Sequence, residues 1–456
     1  MFDDSPSRQQ SARGAASAAA PRRRWYLSIR WKFALSLCAG LVWAAFSLWV
    51  AQVWLQEFSG RVGAFVAHLV VFGIAIIPGF MNAFLVTSLL LDRRPQIRVP
   101  ADRLPAVAIL VAAYNEEANI VSTLESIAKQ DYPGALQVIV INDGSTDGTA
   151  AALAGVHYPW LEVINLAKNA GKSHALNEGL QRVRCALTIT LDGDSYLYKQ
   201  ALRNLVGRYL SDPPDTRAVA GAVLIRNSRK NLVTEAQEWD YFHGIAAVKR
   251  LQSLYQGTLV AQGAFSVYDT QTLRELGGWP HTVGEDIVLT WQMLAKNHRV
   301  GFAENACVFT NAPETWRQFI RQRQRWSRGL IEAFKAHWQL LFKLRMSTLF
   351  IWWNLLFPYL DLVFTLAFIP GLILALFGIY WIAGPLTFLL LPLAAIVNGI
   401  MFRVQRRMFD EQGLKVRRNL RGFFFYTLCY SFVLQPACVI GYFKELLNRS
   451  KTWGTK

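Results

Sequence analysis

The chain has 456 residues, of which 53% are hydrophobic, and its formal net charge is +17. A chain of this length can form more than one domain, and its apolar content predicts that part of it lies in a membrane. The basic residues flank apolar segments and form no zinc-finger or RNP-type motif, which favours anionic lipid headgroups over nucleic acid as their partner. The five cysteines show no C-x-x-C spacing, which excludes a disulfide framework or a cysteine zinc site.

The N-terminal part of the chain predicts a tail followed by two membrane spans. Residues 1–32 are basic and rich in Ser, Ala and Gln, a composition typical of a disordered tail. Residues 33–92 contain two apolar runs, 33–55 and 64–91, each long enough to cross a bilayer. Positive charge precedes the first run and follows the second, so the positive-inside bias predicts that both ends are cytoplasmic. The domain that follows, residues 93–330, is then expected to be cytoplasmic as well.

Residues 93–330 predict an α/β domain. Short continuous apolar runs at 107–111, 136–141, 161–166 and 187–191 alternate with segments of helical period. This pattern favours a doubly wound, Rossmann-like parallel sheet that helices cover on both faces. Such sheets bind ligands beyond the carboxyl ends of their strands. We therefore expect one crevice to be lined by the polar clusters that follow the strands, namely Asn115-Glu116-Glu117, Asp143 and Asp192/Asp194.

After this domain the chain becomes apolar again. Residues 331–347 mix aromatic, apolar and basic side chains and predict a helix in the membrane interface. Residues 348–447 predict about three further spans, with Gly384-Pro385 near one junction and a basic, cytoplasmic loop at 403–421. Five spans would place the C-terminal tail, 448–456, outside against the charge bias, whereas a re-entrant last segment would keep it inside. An acid within a span usually faces a polar interior, so Asp361 either lines a path or lies near the interface.

Two clusters after residue 280 suggest group-transfer chemistry. Gly284-Glu285-Asp286 offers carboxylates just before a helical pattern, and a carboxylate can accept a proton from an attacking hydroxyl. The segment 321–328 places four arginines around Trp326. Arginines can hold a pyrophosphate and a Trp face can stack on a sugar ring, although a basic-aromatic helix could also anchor a domain to headgroups.

Earlier motifs suggest a nucleotide and a metal ion. The D-x-D of Asp192 and Asp194 could hold a hard divalent cation and phosphates, or form a simple turn. Asp143 could accept the imide proton of a uracil, or belong to a strand-to-helix turn capped by Asp147. Lys172 could contact the nucleotide or its diphosphate, or be a solvated lysine.

Together these motifs resemble family 2 glycosyltransferases, which have the GT-A fold. The resemblance covers about residues 105–330. The Q-x-x-R-W motif marks the processive branch of cellulose, chitin, hyaluronan and poly-N-acetylglucosamine synthases. The matching segments are Ala112-Ala113-Tyr114-Asn115-Glu116-Glu117, Asn142-Asp143-Gly144-Ser145-Thr146-Asp147, Asn169-Ala170-Gly171-Lys172, Asp192-Gly193-Asp194, Gly284-Glu285-Asp286 and Gln322-x-x-Arg325-Trp326.

The resemblance implies a role for each matching residue. Asp286 would be the catalytic base, and Asp194 with Asp192 would bind Mg²⁺ or Mn²⁺. The implied donor-binding residues are Tyr114, Asn115, Glu116, Asp143, Lys172, Asp192, Gln322 and Arg325. The implied acceptor-binding residues are Gln262, Gly263, Ala264, Phe265, Glu285 and Trp326.

The resemblance also implies a function. The chain would be a membrane-embedded, processive, inverting hexosyltransferase (EC 2.4.1.-) of the bacterial inner membrane. It would polymerise a UDP-sugar into a β-linked exopolysaccharide of the biofilm matrix and translocate it. Two spans, one compact domain and three spans most resemble bacterial poly-β-1,6-N-acetylglucosamine synthases, which implies UDP-N-acetylglucosamine as the donor.

Several alternatives stay open at this point. They are a hyaluronan, chitin-oligosaccharide or glucan synthase, a non-processive sugar transferase to a lipid carrier, and a transporter or receptor with a nucleotide-sensing domain. The expected partners are the UDP-sugar, the growing polysaccharide and the lipid bilayer, with no nucleic acid. A small membrane partner subunit and cyclic-di-GMP regulation are expected from the resemblance only.

Overall fold

An eight-stranded sheet forms the centre of the region between the apolar segments. The computed structural model describes residues 27–93, 97, 99 and 103–449. Most of the predicted N-terminal tail and residues 450–456 of the predicted C-terminal tail thus lie outside the described residues. In chain order the strands are β1 Val107–Ala113, β2 Leu136–Asn142, β3 Leu161–Asn165, β4 Leu187–Asp192, β5 Tyr196–Leu197, β6 Thr216–Ile225, β7 Phe265–Asp269 and β8 Arg299–Thr310.

The strand order is β3-β2-β1-β4-β7-β6-β8-β5. The first four strands are parallel neighbours, as the sequence predicts. In the other half, β7 runs antiparallel to both β4 and β6, and β5 runs antiparallel to β8. The predicted parallel arrangement therefore holds for the four strands identified from the sequence, whereas the sheet as a whole is mixed. Apolar patterning gives a strand's burial but not its direction, and the connection from β6 to β7 begins and ends at the same end of the sheet.

The α-helices pack on both faces of this sheet and extend beyond it. In chain order those of the described residues are α1 Ile29–Val50, α2 Gln52–Val62, α3 Ala64–Val71, α4 Ile77–Leu91, α5 Ile120–Ala128, α6 Thr149–Ala154, α7 Lys172–Arg182, α8 Ala201–Ser211, α9 Leu232–His243, α10 Arg250–Leu254, α11 Thr270–Glu275, α12 Glu285–Ala295, α13 Trp316–His337, α14 Thr348–Val363, α15 Ile369–Leu376, α16 Leu390–Glu411, α17 Leu420–Phe425 and α18 Ser431–Leu446.

Side chains of β1 alternate between two cores. Ile109 is packed with Leu124 of α5 in the core on one face, whereas Leu110 is packed with Leu176 of α7 on the other. Successive side chains of a strand point to opposite faces, so a strand covered on both sides is apolar at every position. This explains the continuous apolar run from which β1 was predicted.

Within the described part of the chain, five helices are long and apolar enough to cross a membrane, which agrees with the predicted number. The second, Ala64–Leu91, has the predicted bounds, whereas the first, Ile29–Val50, begins and ends earlier than expected. Gly384-Pro385 does lie at a junction, between Leu376 and Thr387. The fourth helix, Thr387–Glu411, continues beyond the expected boundary. Arg403, Arg406 and Arg407 are therefore helical and do not belong to the predicted loop.

Residues 331–347 do not form a helix of their own. Their first part is the end of α13, which continues to His337, and a short 3-10 helix, Trp338–Phe342, follows. Trp338 and Phe342 are exposed there. The helix that carries the Q-x-x-R-W motif is therefore followed directly by this exposed aromatic segment.

The apolar helices and the sheet domain share one core. The core on the α7 face of the sheet continues through Phe84 of α4 and Phe350 of α14. Within the apolar helices, the hydroxyl of Tyr442 donates to Asp361 at 2.9 Å and joins α18 to α14. The predicted place of Asp361 on a polymer path stays a prediction.

Buried ion pairs reinforce this junction. Arg250 pairs with Asp92, which follows α4, and its Nη1 lies 2.5 Å from Glu304 of β8. Only 4% of the Asp92 side chain and 11% of the Arg250 side chain are exposed. Because removal of one partner leaves buried charge uncompensated, such a pair is expensive to break.

We expect Arg250→Met to lower the free energy of unfolding by about 3 kcal/mol, since two buried carboxylates lose their cation. Arg182→Met is the matched control, because its ion pair with Glu162 is exposed and should contribute about 0–1 kcal/mol. Thermal unfolding of the full chain in detergent measures both. Equal shifts in the two variants would show that Arg250 does not hold the domain to α4.

Candidate active site

A cavity of about 1070 Å³ lies where the carboxyl ends of β1 and β4 face α12 and α13. Most residues predicted for the site line it, although they come from separate parts of the chain. Asp143 and Phe265 do not line it. The predicted residues in its wall are Tyr114, Asn115, Glu116, Lys172, Asp192, Asp194, Gln262, Gly263, Ala264, Glu285, Asp286, Gln322, Arg325 and Trp326.

The loop after β1 is held to the loop after β2 through Asn115. The backbone N–H of Asn115 donates to Ser145 Oγ at 3.0 Å, and its Oδ1 accepts from the N–H of Thr146 at 2.9 Å. Asn115 has a φ of 57°, in the left-handed region that asparagine tolerates better than most residues. This turn brings Tyr114 and Glu116 to the cavity wall.

Asp143 orders a loop behind the cavity. Its side chain is fully buried, and its two carboxylate oxygens accept from the N–H groups of Ala170 and Gly171, each at 2.9 Å. Gly171 has a φ of 96°, which favours glycine, and α7 begins at the next residue. Asp143 therefore positions Lys172. The predicted contact between Asp143 and a uracil stays a prediction.

Lys172 joins two carboxylates in the cavity wall. Its Nζ contacts Asp192 Oδ1 and lies 3.7 Å from Glu285 Oε1. Burial alone would lower the pKa of Lys172, but attraction to Asp192 and Glu285 outweighs it and raises the pKa above its ordinary value. With 14% of its side chain exposed, Lys172 is not a solvated surface lysine. It is a fixed positive charge suited to a diphosphate.

Asp192 and Asp194 flank Gly193 at the end of β4, and both line the cavity. Asp194 Oδ1 accepts from Thr310 Oγ1 at 3.2 Å. Within the described residues, no group of three or more His, Cys, Asp or Glu side chains could hold a metal ion by itself. One or two carboxylates plus substrate phosphates are a common donor set for Mg²⁺. This pair therefore fits a cation that is shared with a bound nucleotide.

Asp286 lies in the first turn of α12, beside the segment 262–265. Its Oδ2 accepts from the N–H of Gly263 at 3.4 Å, and its Oδ1 accepts from the N–H of Ile287 at 2.7 Å. Both hydrogen bonds come from backbone groups, which orient the carboxylate at the cavity wall. A carboxylate in a cavity can accept a proton from a bound hydroxyl.

Glu285 is buried in the cavity wall, close to both Lys172 and Gly263. Burial raises the pKa of Glu285 to about 7, attraction to Lys172 opposes the rise, and repulsion from Asp286 adds to it. Gly263 leaves room for this arrangement, since a Cβ at Gly263 would lie 2.5 Å from Lys172 Nζ and 3.5 Å from Glu285 Oε1. Glu285 thus lies where Lys172 meets Gly263 of the segment 262–265.

Two glycines bring α12 and α13 into backbone contact. A Cβ at Gly284 would lie 2.5 Å from the Cα of Gly329, and a Cβ at Gly329 would lie 2.8 Å from the Cα of Gly284. One turn further along α13, Glu332 Oε2 accepts from the N–H of Gly284 at 2.9 Å. This contact fixes the distance between the carboxylates of α12 and the motif on α13.

Gln322, Arg325 and Trp326 lie on one face of α13, because residues three and four apart are neighbours on a helix. All three line the cavity. The guanidinium of Arg323 lies 4.1 Å from the ring centroid of Trp326, and 44% of Trp326 remains exposed. Trp326 therefore offers an exposed aromatic surface to a ligand.

The arginines of α13 have different partners. Arg323 pairs with Asp240 at 2.8 Å and donates to the hydroxyl of Tyr430, which precedes α18. Arg328 pairs with Glu445 of α18 at 3.2 Å. Both thus tie α13 to other helices, which leaves Arg325 as the arginine of this cluster best placed for a diphosphate.

Several cavity residues were not predicted from the sequence. Among them are the polar residues Asp240, Tyr241, Lys249 and Glu314. Tyr241 and Lys249 each lie four positions from Ile245 in the sequence, so helical spacing could have grouped the three residues. That spacing alone does not tell which face of a helix meets a cavity.

Comparisons with known proteins show a family match and a similar fold. Residues 105–329 match the model of glycosyltransferase-like family 2, and the chain carries a domain of that family. A mannosyltransferase from Pyrobaculum calidifontis, solved with GDP-Man and Mn²⁺, superposes with a TM-score of 0.52 at 16% identity. That superposition covers 93% of this chain and 100% of the mannosyltransferase and shows the GT-A fold.

Curated relatives include poly-β-1,6-N-acetyl-D-glucosamine synthases. The Staphylococcus epidermidis (strain RP62A) enzyme is 26% identical over 401 residues, which are 83% of this chain and 94% of that enzyme. The Staphylococcus aureus (strain COL) enzyme is 29% identical over 241 residues. These are 52% of this chain and 57% of the S. aureus enzyme, so this alignment spans little more than half of that relative.

We expect Gly329→Ala to lower sugar transfer by about 100-fold, because a Cβ must push the α12 backbone away and displace Asp286 from Arg325. Gly399→Ala is the control, since a Cβ on that α16 glycine meets nothing within 4 Å. Nucleotide release with a competent donor, compared at equal amounts of folded protein, measures the effect. Full activity of Gly329→Ala would show that this contact does not set the site geometry.

Glu285→Gln should become more stable relative to the wild type as the pH rises from 5 to 8. The folded-state pKa of Glu285 is raised from 4.5 to about 7, so the folded protein loses stability through this window as Glu285 resists ionisation. The expected gain is on the order of 3 kcal/mol, from about 1.4 kcal/mol per pKa unit. Thermal unfolding at pH 5 and pH 8 measures this gain. The control is Glu162→Gln, which changes an exposed carboxylate. If the two variants changed equally with pH, the prediction would be contradicted.

Proposed function

We propose that this chain is a membrane-embedded, inverting glycosyltransferase that extends a β-linked polysaccharide from UDP-N-acetylglucosamine. The observation that carries the proposal is that one cavity is lined by Asp286, by the Lys172–Asp192 pair and by Arg325 and Trp326 of α13. The poly-β-1,6-N-acetyl-D-glucosamine synthases among the relatives support N-acetylglucosamine as the sugar and a β-1,6 linkage.

The donor occupies the part of the cavity between β4 and α13. Tyr114, Asn115 and Glu116 approach the nucleoside from the loop after β1. Lys172 and Arg325 face the diphosphate, whose negative charge grows as the sugar leaves. Gln322 supports it from the same face of α13. Lys172 is fixed before the reaction by Asp192 and Glu285, and Asn115 by its hydrogen bonds to Ser145 and Thr146, so these two residues need little reorganisation.

A divalent cation fits the same place. Its neighbourhood is strongly acidic, since the side chains that line the cavity include seven carboxylates but four cations. An anionic diphosphate would be repelled there unless a cation compensates. Asp194 and Asp192 would hold Mg²⁺ or Mn²⁺, which supplies charge neutralisation of the diphosphate. The neighbouring structure solved with Mn²⁺ supports a divalent metal ion in this fold.

Asp286 carries out the proton transfer. The hydroxyl oxygen of the acceptor attacks the anomeric carbon, its proton passes to Asp286, and the bond to the nucleotide diphosphate breaks. The neighbouring carboxylate, Glu285, is engaged by Lys172 and does not serve as a nucleophile. One displacement inverts the anomeric configuration and converts the α-linked UDP-sugar into a β-linked product.

The acceptor lies on the side of Trp326 and the segment 262–265. The exposed face of Trp326 offers a sugar ring a stacking surface. Arg323 of α13 donates to Tyr430, just before α18, and Arg328 of α13 pairs with Glu445 of α18. The acceptor side of the cavity is therefore continuous with the apolar helices. The continuity favours processive extension with export through the helices over a single transfer to a lipid carrier.

The proposed location is the bacterial inner membrane, with the sheet domain in the cytoplasm. Arg93 and the basic residues after α16 support this orientation by the positive-inside bias. The exposed Trp338, Phe342 and Leu344 would insert into the headgroup region beside α13. A small partner subunit and cyclic-di-GMP regulation remain proposals that rest on resemblance alone.

Nucleotide release and product analysis test the proposal. The full chain in proteoliposomes would receive UDP-N-acetylglucosamine, UDP-glucose and UDP-glucuronate, separately and in pairs, with Mg²⁺, Mn²⁺ or EDTA. Metal-dependent turnover of UDP-N-acetylglucosamine alone, with a polymer cleaved by a β-1,6-hexosaminidase, supports it. A need for two donors would indicate a hyaluronan-type synthase, and UDP-glucose alone a glucan synthase. A product with one added sugar would contradict processivity.

We expect Asp286→Asn to reduce transfer by about 10³-fold, since the amide cannot accept the proton, while UDP binding is retained. Asp131→Asn is the control, because Asp131 is exposed and pairs with Arg203 at 2.7 Å. Calorimetric titration with UDP and metal would report binding. Substantial polymer synthesis by Asp286→Asn would exclude Asp286 as the base.

A further inference from the structure

One lysine of the cavity has no role in the motifs or in the proposed reaction. Lys249 is the last residue of a π-helical segment, Gly244–Lys249, between α9 and α10. Gly244, Ile245 and Lys249 all line the cavity. π-Helical turns often occur at functional sites, because the wider turn changes the direction of the side chains that follow. This segment therefore presents a cation to the ligand space.

Lys249 lies on the acceptor side of Asp286. Its Nζ donates to the carbonyl oxygen of Val260 at 3.2 Å. Three residues further on, the N–H of Gly263 donates to Asp286. The segment 260–263 thus connects Lys249 at one end to Asp286 at the other. Lys172, which contacts Asp192, lies at the Gly263 end of this segment, whereas Lys249 lies at the Val260 end.

The two cavity lysines differ in their partners. Lys172 is engaged by Asp192 and Glu285. For Lys249, no carboxylate of the described residues is within ion-pair distance, and its hydrogen bond goes to a carbonyl. An ammonium group has three N–H donors. Two donors of Lys249 are therefore left for a ligand in the cavity.

The charge of Lys249 is poorly solvated. Burial lowers the pKa of Lys249 to about 7, although attraction to the carboxylate of Asp286 opposes the change. A cation in such surroundings gains more from an oxygen ligand than a surface lysine does. A neutral sugar offers several hydroxyl oxygens as acceptors, which fits the unused donors.

We propose that Lys249 positions the acceptor, binding oxygens of the terminal acceptor sugar so that its attacking hydroxyl faces Asp286. This inference rests on the proposed function, in which Asp286 is the base. The proton of the attacking hydroxyl still passes to Asp286, and Lys249 orients the sugar without exchanging a proton with it. Lys172 holds the donor diphosphate and Lys249 the acceptor, one on each side of the reacting carbon.

The test compares Lys249→Met with Lys129→Met in the full chain in proteoliposomes. Met keeps the length of the side chain but removes the donors, and Lys129 is an exposed control with 65% of its side chain accessible. The donor is UDP-N-acetylglucosamine, and the acceptor is a short β-1,6-linked N-acetylglucosamine oligosaccharide. We expect the KM for the oligosaccharide to rise about tenfold or more in Lys249→Met, as for loss of a charge-assisted hydrogen bond. The KM for the donor and the slow hydrolysis of the donor should stay within about twofold.

Equilibrium binding of the same oligosaccharide to the UDP-bound protein gives a second readout that needs no turnover. Weaker binding by Lys249→Met supports the proposal, and equal affinity overturns it. Equal losses of transfer and donor hydrolysis would also overturn it, since they would show a general effect on the site. If Lys249→Met does not fold, Lys249→Leu, which also lacks N–H donors, provides the same comparison.

The controls separate this inference from the proposed function. Absence of transfer by the wild type with every donor would count against the proposed function. The affinity comparison would still decide whether Lys249 holds the oligosaccharide.

Discussion

The backbone contact between Gly284 and Gly329 is the constraint on which the site depends. A Cβ on either glycine would meet the backbone of the other. The start of α12 and α13 therefore approach more closely than larger residues at these two positions would allow. Glu332 fastens the contact by accepting from the N–H of Gly284. Since Asp286 and Trp326 both lie within a turn of these glycines, the contact sets the space between them.

The charges of the cavity are arranged around this contact. Lys172, Asp192 and Glu285 form a connected set, in which one lysine lies between two carboxylates. Asp286 instead has backbone N–H groups as its partners. A carboxylate without a lysine or arginine bound to it keeps oxygen lone pairs available for a proton. The difference between the two adjacent acids is therefore a difference of partners and not of residue type.

The sheet domain and the apolar helices form one mechanical unit. They share a hydrophobic core through Phe84 and Phe350. The Arg250–Asp92 and Arg328–Glu445 ion pairs and the hydrogen bond from Arg323 to Tyr430 join them at separate places. Two of these arginines lie on α13, beside the residues that face the cavity. Movement of α18 would therefore be transmitted to the Q-x-x-R-W face, which in the proposed function links each transfer to the position of the polymer.

The sequence by itself determined many of the strands and helices and most of the residue types that line the site. Continuous apolar runs identified β1 to β4, five apolar stretches identified the membrane-capable helices, and the ordered motifs identified most of the cavity wall. These features depend on residue type and short-range period, which are present in the chain before it folds. The same information did not give the directions of β5 and β7 or the end of the helix that continues to Glu411.

Only the tertiary structure decided which of the singled-out residues face the cavity. Asp143 is turned toward the backbone of Ala170 and Gly171, and Arg323 and Arg328 pair with acids on distant helices. Lys249 lies at helical spacing from Tyr241 and Ile245, but only the packing shows that this face of the segment meets the cavity. Partner choice between groups far apart in the chain is set by packing, since a charge pairs with the nearest opposite charge in space. The sequence therefore determined which chemical groups are available, and the packing of α12 against α13 determined which of them act together.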